Sequence, residues 1–276
     1  MVDTPIKLKN GAQTVYFKSG GQWCYLRTPD SFRLDNPPIP CVIQCHGNRG
    51  YVKNGEADWL IEKPKRLFLD ILNQNGIAVS GSHGTGNHWG RPSAVTANAM
   101  LFTSLSEHPN INQDNIGLMG GGLGGAVIWN TVTGPLLGKV NAVVLQQATL
   151  SYDSVIRNRK FKGPLLRAYG IPASTPDKTA IETLSYNDPI KRTQILAKEY
   201  PRKAVNLLPK VLFIHGDEDE NMLYLENPIA LSKILDQWGA HYSFHTFKGV
   251  GHATYDLGET AAQPIVHFFS KAFKNS

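Results

Sequence analysis

Short apolar runs recur along the chain at spacings that leave room for a helix between most of them. Eight read as strands: 14–17 (TVYF), 22–27 (QWCYLR), 41–45 (CVIQC), 77–81 (IAVSG), 115–119 (NIGLM), 142–147 (AVVLQQ), 211–216 (VLFIHG) and 242–247 (YSFHTF). Lys18-Ser19-Gly20-Gly21 separates the first two and predicts a hairpin. The later runs are almost continuously apolar, as strands covered on both faces should be. Helical segments are expected at 64–74, 93–108, 123–133, 226–239 and 261–273, with Ser93 as an N-cap candidate. Strands alternating with helices pair in parallel through right-handed crossovers. The expected class is α/β: one domain over 1–276, with an eight-stranded, mostly parallel sheet and helices on both faces.

Residues 151–206 interrupt this rhythm. They are polar and contain Pro164, Pro172, Pro176, Pro189 and Pro201. Long insertions without sheet strands are usually functional, so this one is expected to cap the C-terminal edge of the sheet. No run of 18 apolar residues suggests a membrane span. The first residues, MVDTPIKLKNGAQ, lack the apolar stretch of a secretory signal, which predicts a cytoplasmic location. The formal charge of +6 is scattered apart from RNRKFK at 157–162. A nucleic-acid binder would show a basic stripe with interleaved aromatics, so a small-molecule partner is expected instead. Cys24, Cys41 and Cys45 are odd in number. The last two sit about 13 Å apart on one strand, too far to bridge. Reduced, partly buried thiols are expected.

The segment NIGLMGGGLGGA at 115–126 runs from a strand through glycines into a helix. One parse, Gly120-x-Gly122-x-x-Gly125, fits a dinucleotide fingerprint. That reading needs an acidic residue at the end of the next strand, and VVLQQAT has none. The other parse, Gly120-x-Gly122-x-Gly124, is the spacing of a nucleophile turn, with glycine where a serine would stand. Small residues two before and two after are demanded by the tightness of that turn. Downstream, HGDED (215–219) places Asp219 after one strand, and KGVGHATY (248–255) places His252 after the next. Upstream, HGN (46–48) follows the third strand. The order nucleophile, acid, base belongs to one superfamily.

On these motifs the chain resembles the α/β-hydrolases of the serine esterase and lipase kind, with some similarity to prolyl-oligopeptidase-like catalytic domains. The resemblance spans about 14–273 and departs at the nucleophile. It implies a carboxylic-ester hydrolase, or an amide hydrolase of the same fold, acting without metal or organic cofactor. It implies His252 as base and Asp219 as its acid partner, with Asp217 as the alternative. Backbone donors at Leu123 and at Asn48 or Gly47 would form the oxyanion hole. His83, His88 and Trp89, in the loop GSHGTGNHWG (81–90), are candidates for the substrate pocket. His46, His215, His241, His245 and His267 read as structural. Three explanations of Gly122 stand: a nucleophile removed from an active esterase, a non-hydrolytic binding relative, or chemistry run by His252 without a nucleophile.

Overall fold

The computed structural model describes residues 5–200 and 204–274. Eight strands form one sheet: β1 (Gln13–Ser19), β2 (Gln22–Thr28), β3 (Ile39–Cys45), β4 (Ala78–Ser82), β5 (Ile111–Gly121), β6 (Ala142–Gln146), β7 (Lys210–Gly216) and β8 (Tyr242–Phe247). Their spatial order is β1-β2-β4-β3-β5-β6-β7-β8. β2 pairs antiparallel with β1 and β4, and every other pairing is parallel. Parallel pairing forces helical crossovers, and these sort onto the two faces. Helices α1 (Lys63–Gln74) and α9 (Glu259–Lys274) cover one. Helices α2 (Pro92–Ser106), α3 (Leu123–Val132) and α8 (Pro228–Trp238) cover the other.

Each face buries its own apolar layer. On the α2, α3 and α8 side this layer includes Leu101, Val127, Trp129, Leu231 and Phe213. On the α1 and α9 side it includes Phe68, Leu72, Ile214, Ile265 and Phe269. Period-2 alternation along the strands makes this division: Leu212 and Ile214 face α9, while Val211 and Phe213 face α8. All three cysteines are free and buried. Burial pushes the Cys45 thiol up to about 12.

The structure adjusts several expected boundaries. β5 begins at Ile111 rather than residue 115 because Ile111 pairs with Ile39. The polar residues 112–115 that hide this extension fall at a register shift between the Ile39–Ile111 and Cys41–Ile116 pairs, where Gln113 and Asp114 are exposed. Ser93 is not a cap: α2 starts at Pro92, with Arg91 before it. A proline's fixed φ and missing N–H suit the first helical position. Between β3 and α1, a two-residue ribbon (Val52–Lys53 with Glu56–Ala57) leads into a helical turn, Asp58–Ile61.

The insertion is helical: α4 (Tyr152–Arg157), α5 (Lys162–Ala168), α6 (Asp177–Leu184) and α7 (Pro189–Glu199). Its residues 201–203, including Pro201, lie outside the described residues. It has a small apolar core of its own, where Tyr152, Ile156, Leu166 and Leu184 pack with Trp89 and Leu123. Asp188 ties its two ends together. Its Oδ2 accepts from the Tyr152 N–H at 2.5 Å, and its Oδ1 caps α7 through the Lys191 N–H at 2.9 Å. Two of the four cations of the RNRKFK run are paired: Arg157 with Asp153 and Glu226, and Lys162 with Asp177. Among the described residues, no helix is long and apolar enough to cross a membrane.

Candidate active site

β5 passes into α3 through Gly122, whose backbone sits at φ 52° and ψ −120°. The turn is held from both sides. The Gly122 N–H donates to Gln146 O at 3.1 Å, and its carbonyl accepts from the N–H groups of Gly125 (3.1 Å) and Thr149 (2.9 Å). The glycines here serve different ends. A Cβ at Gly124 would lie 2.2 Å from Cys45 O, and one at Gly120 would lie 2.6 Å from the Gly124 backbone. A Cβ at Gly125 would strike Ala148 at 2.3 Å. These three let the helix, the strand and the neighbouring loop approach one another. At Gly122 an added Cβ meets nothing within 4 Å. Glycine there relieves only the positive φ, which costs other residues on the order of 1–3 kcal/mol.

Two loops bring Asp219 and His252 to the same edge, one following β7 and one following β8. His252 Nδ1 lies 2.7 Å from Asp219 Oδ2. Asp219 is 2% exposed. Its other oxygen, Oδ1, accepts from the N–H groups of Asn221 (2.8 Å) and Met222 (2.9 Å). Burial alone would raise its pKa. Hydrogen bonds from His215 and His252, with the Met222 N–H, outweigh burial and hold the carboxyl well below the ordinary range. Asp219 is thus a fixed anion. It holds the His252 Nδ1–H and leaves Nε2 as the proton acceptor. Asp217 takes no part; it is exposed and accepts from the Gly249 N–H at 2.7 Å.

Gly122, Leu123, Gly47, Asn48, Trp89 and His252 line one cavity of about 340 Å³. Leu123 is the first residue of α3, where backbone N–H groups have no partner within the helix. The loop after β3 comes close, since a Cβ on Gly47 would lie 3.2 Å from Gly121 O. His83 and His88 are not in the wall. His88 is 2% exposed and turned inward, with Nε2 at 3.2 Å from His46 O and Nδ1 accepting from the Gly90 N–H. His83 Nδ1 accepts from the Val52 N–H at 3.4 Å. The two imidazoles mainly tie this loop to the segment after β3, through His46 O and the Val52 N–H, and only the Gly90 N–H is met within the loop itself.

Sequence reasoning missed other wall residues. Trp59, Lys65, Phe161, Met222 and Tyr255 also line the cavity. Trp59 arrives on the helical turn after the ribbon, a segment too short to show periodicity. Phe161 lay within the run read for its charges. Its ring stands 5.9 Å from that of Trp89, joining the insertion to the cavity. Tyr255 fills the space a side chain at Gly121 would need, since a Cβ there would meet its hydroxyl at 1.8 Å. Lys65 reaches the wall while paired with buried Asp58 and with Glu62, each at 2.9 Å. His215, read as structural, touches Asp219. Among the described residues, no cluster of three or more His, Cys, Asp or Glu side chains is placed to hold a metal ion.

The family model for the prolyl oligopeptidase family matches residues 99–276, which include Gly122, Asp219 and His252. The chain belongs to the prolyl oligopeptidase family. It is thereby a member of the α/β-hydrolase superfamily, and its sheet agrees with solved members. A puromycin hydrolase superposes with a TM-score of 0.70 at 16% identity, over 96% of this chain and 40% of that one. Est1E from Butyrivibrio proteoclasticus gives 0.64 at 16% identity, covering 96% of this chain and 100% of that one. A truncated carbohydrate esterase from gut microbiota gives 0.66 at 17% identity, with 90% of each chain covered. The chain thus spans 40% of the length of the puromycin hydrolase. A search of curated proteins finds no match. Solved structures of this fold thus include esterases, and they also include Porphyromonas gingivalis dipeptidyl peptidase 4, at TM-score 0.68 and 14% identity over 95% of this chain and 36% of that one.

Proposed function

We propose that this protein has the architecture of a carboxylic-ester hydrolase working through an acyl-enzyme, and that Gly122 leaves it without the nucleophile. The observation that carries this reading is a juxtaposition. The turn at Gly122 has open space for a side chain, and it shares its cavity with His252, held by Asp219. With serine at 122, the hydroxyl would attack an acyl carbon. His252 Nε2 would take the proton and return it to the leaving group. The Leu123 N–H, with a backbone donor at Asn48 or Gly47, would hold the oxyanion. Such a donor is worth about 3–4 kcal/mol in the transition state. In the chain as it stands, binding and the remaining groups support only residual turnover, on the order of 10³-fold over water.

An ester is favoured over a peptide by the cavity wall. Trp59, Trp89, Phe161 and Tyr255 make it aromatic, and none of the described lining residues is a carboxylate that would hold a peptide amino terminus. The test is a paired assay of this chain and its Gly122→Ser variant on p-nitrophenyl esters of graded acyl length and on aminoacyl p-nitroanilides. Ester cleavage in the serine form alone supports the proposal. Anilide cleavage alone moves the assignment to amides. Equal ester turnover in both forms places the chemistry on His252 without residue 122.

A further inference from the structure

A larger groove lies away from this cavity, at the outer edge of the sheet. It has a volume of about 870 Å³ and runs between edge strand β8, the start of β7 and helix α9. It forms because α9 packs on β6 and β7, so the face of β8 beside it is left as a channel. The groove shares no lining residue with the Gly122 cavity. Lys210 and His241 stand at the beginnings of β7 and β8, whereas Asp219 and His252 follow the ends of those strands. Seven strand residues span roughly 20 Å, which separates the two sites.

The lining has a distinct chemistry. Leu212, Pro264, Phe268 and Ala272 supply apolar surface. Around it stand two lysines, Lys210 and Lys271, and three histidines, His241, His245 and His267. No aspartate or glutamate is among the described residues that line the groove. None of the five basic side chains enters an ion pair among the described residues. The contrast with RNRKFK is instructive, since two of that run's cations are answered by carboxylates. Unanswered positive charge beside a concave apolar surface selects a ligand with one anionic end and a hydrocarbon body. The volume falls within the range of small-molecule pockets, about 300–1,000 Å³.

We propose that this groove binds a free fatty carboxylate, its chain along Leu212, Pro264 and Phe268 and its head between Lys210 and Lys271. The experiment is calorimetric titration of the intact protein with dodecanoate below its micellar concentration, beside dodecyltrimethylammonium and dodecanol. Saturable binding of one dodecanoate is expected, at least tenfold tighter than either control. Lys210→Glu combined with Lys271→Glu should weaken it at least tenfold. Lys210→Ala with Lys271→Ala, a milder pair, serves if charge reversal disturbs folding, and circular dichroism and Tm check that. Lys160→Glu, on the exposed basic run near the other cavity, should leave binding unchanged. Absence of saturable binding, equal affinity for the ammonium amphiphile, or loss of binding through Lys160→Glu alone would each overturn the proposal.

Discussion

His215 Nε2 lies 3.1 Å from Asp219 Oδ2, the same oxygen that receives the Nδ1–H of His252. The His215 N–H also points at Met222 O, 2.8 Å away. Met222 in turn donates its N–H to Asp219 Oδ1. His215 therefore closes a ring that fixes the carboxylate and the cavity wall beside it.

Replacing His215 tests that ring. His215→Phe removes a buried donor to a charged group and should cost about 1.5–3 kcal/mol in denaturant unfolding. The proton between His252 and Asp219 should give a resolved low-field ¹H signal. With one donor to Oδ2 gone, that signal should move further downfield. A destabilised variant whose signal stays in place would reduce His215 to packing alone.

The two classes of glycine at the turn should separate in stability. Gly122→Ser places a side chain in open space at positive φ, so the cost should be on the order of 1 kcal/mol. Thermal unfolding should show a Tm lower by about 2 °C. Gly124→Ala forces a methyl group onto the Cys45 carbonyl, which lies 2.2 Å from the added carbon. It should cost more than about 4 kcal/mol, in the range reserved for direct steric conflict. Equal Tm values for the two variants would contradict this geometry.

Asp219→Asn should destabilise the protein by about 2–3 kcal/mol at pH 7, because the hydrogen bonds that favour its charge are lost. The folded pKa of Asp219 lies below its unfolded value. Its contribution is therefore fully present above the ordinary aspartate pKa of about 3.9 and is lost as pH falls through the lower folded value. The stability difference between wild type and variant should stay constant from pH 7 to about pH 5 and shrink only in stronger acid. Urea melts across that range would show it. A difference that disappears near neutrality would assign the effect to another group.

Tyr152 and Tyr169 both donate hydroxyls to the Trp89 carbonyl, anchoring the insertion to the cavity wall. Burial raises the pKa of both phenols, so they remain donors across neutral pH. Tyr152→Phe should cost about 1 kcal/mol of stability. It should also increase hydrogen exchange in α4 and α5 relative to the sheet. Unchanged exchange in the insertion would show that its own apolar core suffices to hold it.

The sheet was legible in the chain alone, and so were the motifs that meet at its edge. Strand positions were legible because doubly covered strands must be apolar throughout and helices between them must be amphipathic. The turn was legible because sterics admit only glycine at 120, 124 and 125, leaving 122 as the exceptional glycine. Asp219 and His252 were legible because each follows a strand, and parallel strands bring their ends to one edge. Tertiary structure alone decided what surrounds them. Trp59, Phe161 and Tyr255 reach the cavity from a helical turn, an insertion and a short 3₁₀ segment. No period in the chain records those approaches. His83 and His88 sit in a loop at the right edge, yet their rings turn to backbone groups at His46 and Val52, in the neighbouring segment after β3. His215 and Asp219 are four residues apart in sequence, but only the fold of the loop between them puts two imidazoles on one carboxylate oxygen. Local sterics and periodicity are written residue by residue. The direction in which a loop side chain settles depends on partners that the whole fold brings within reach.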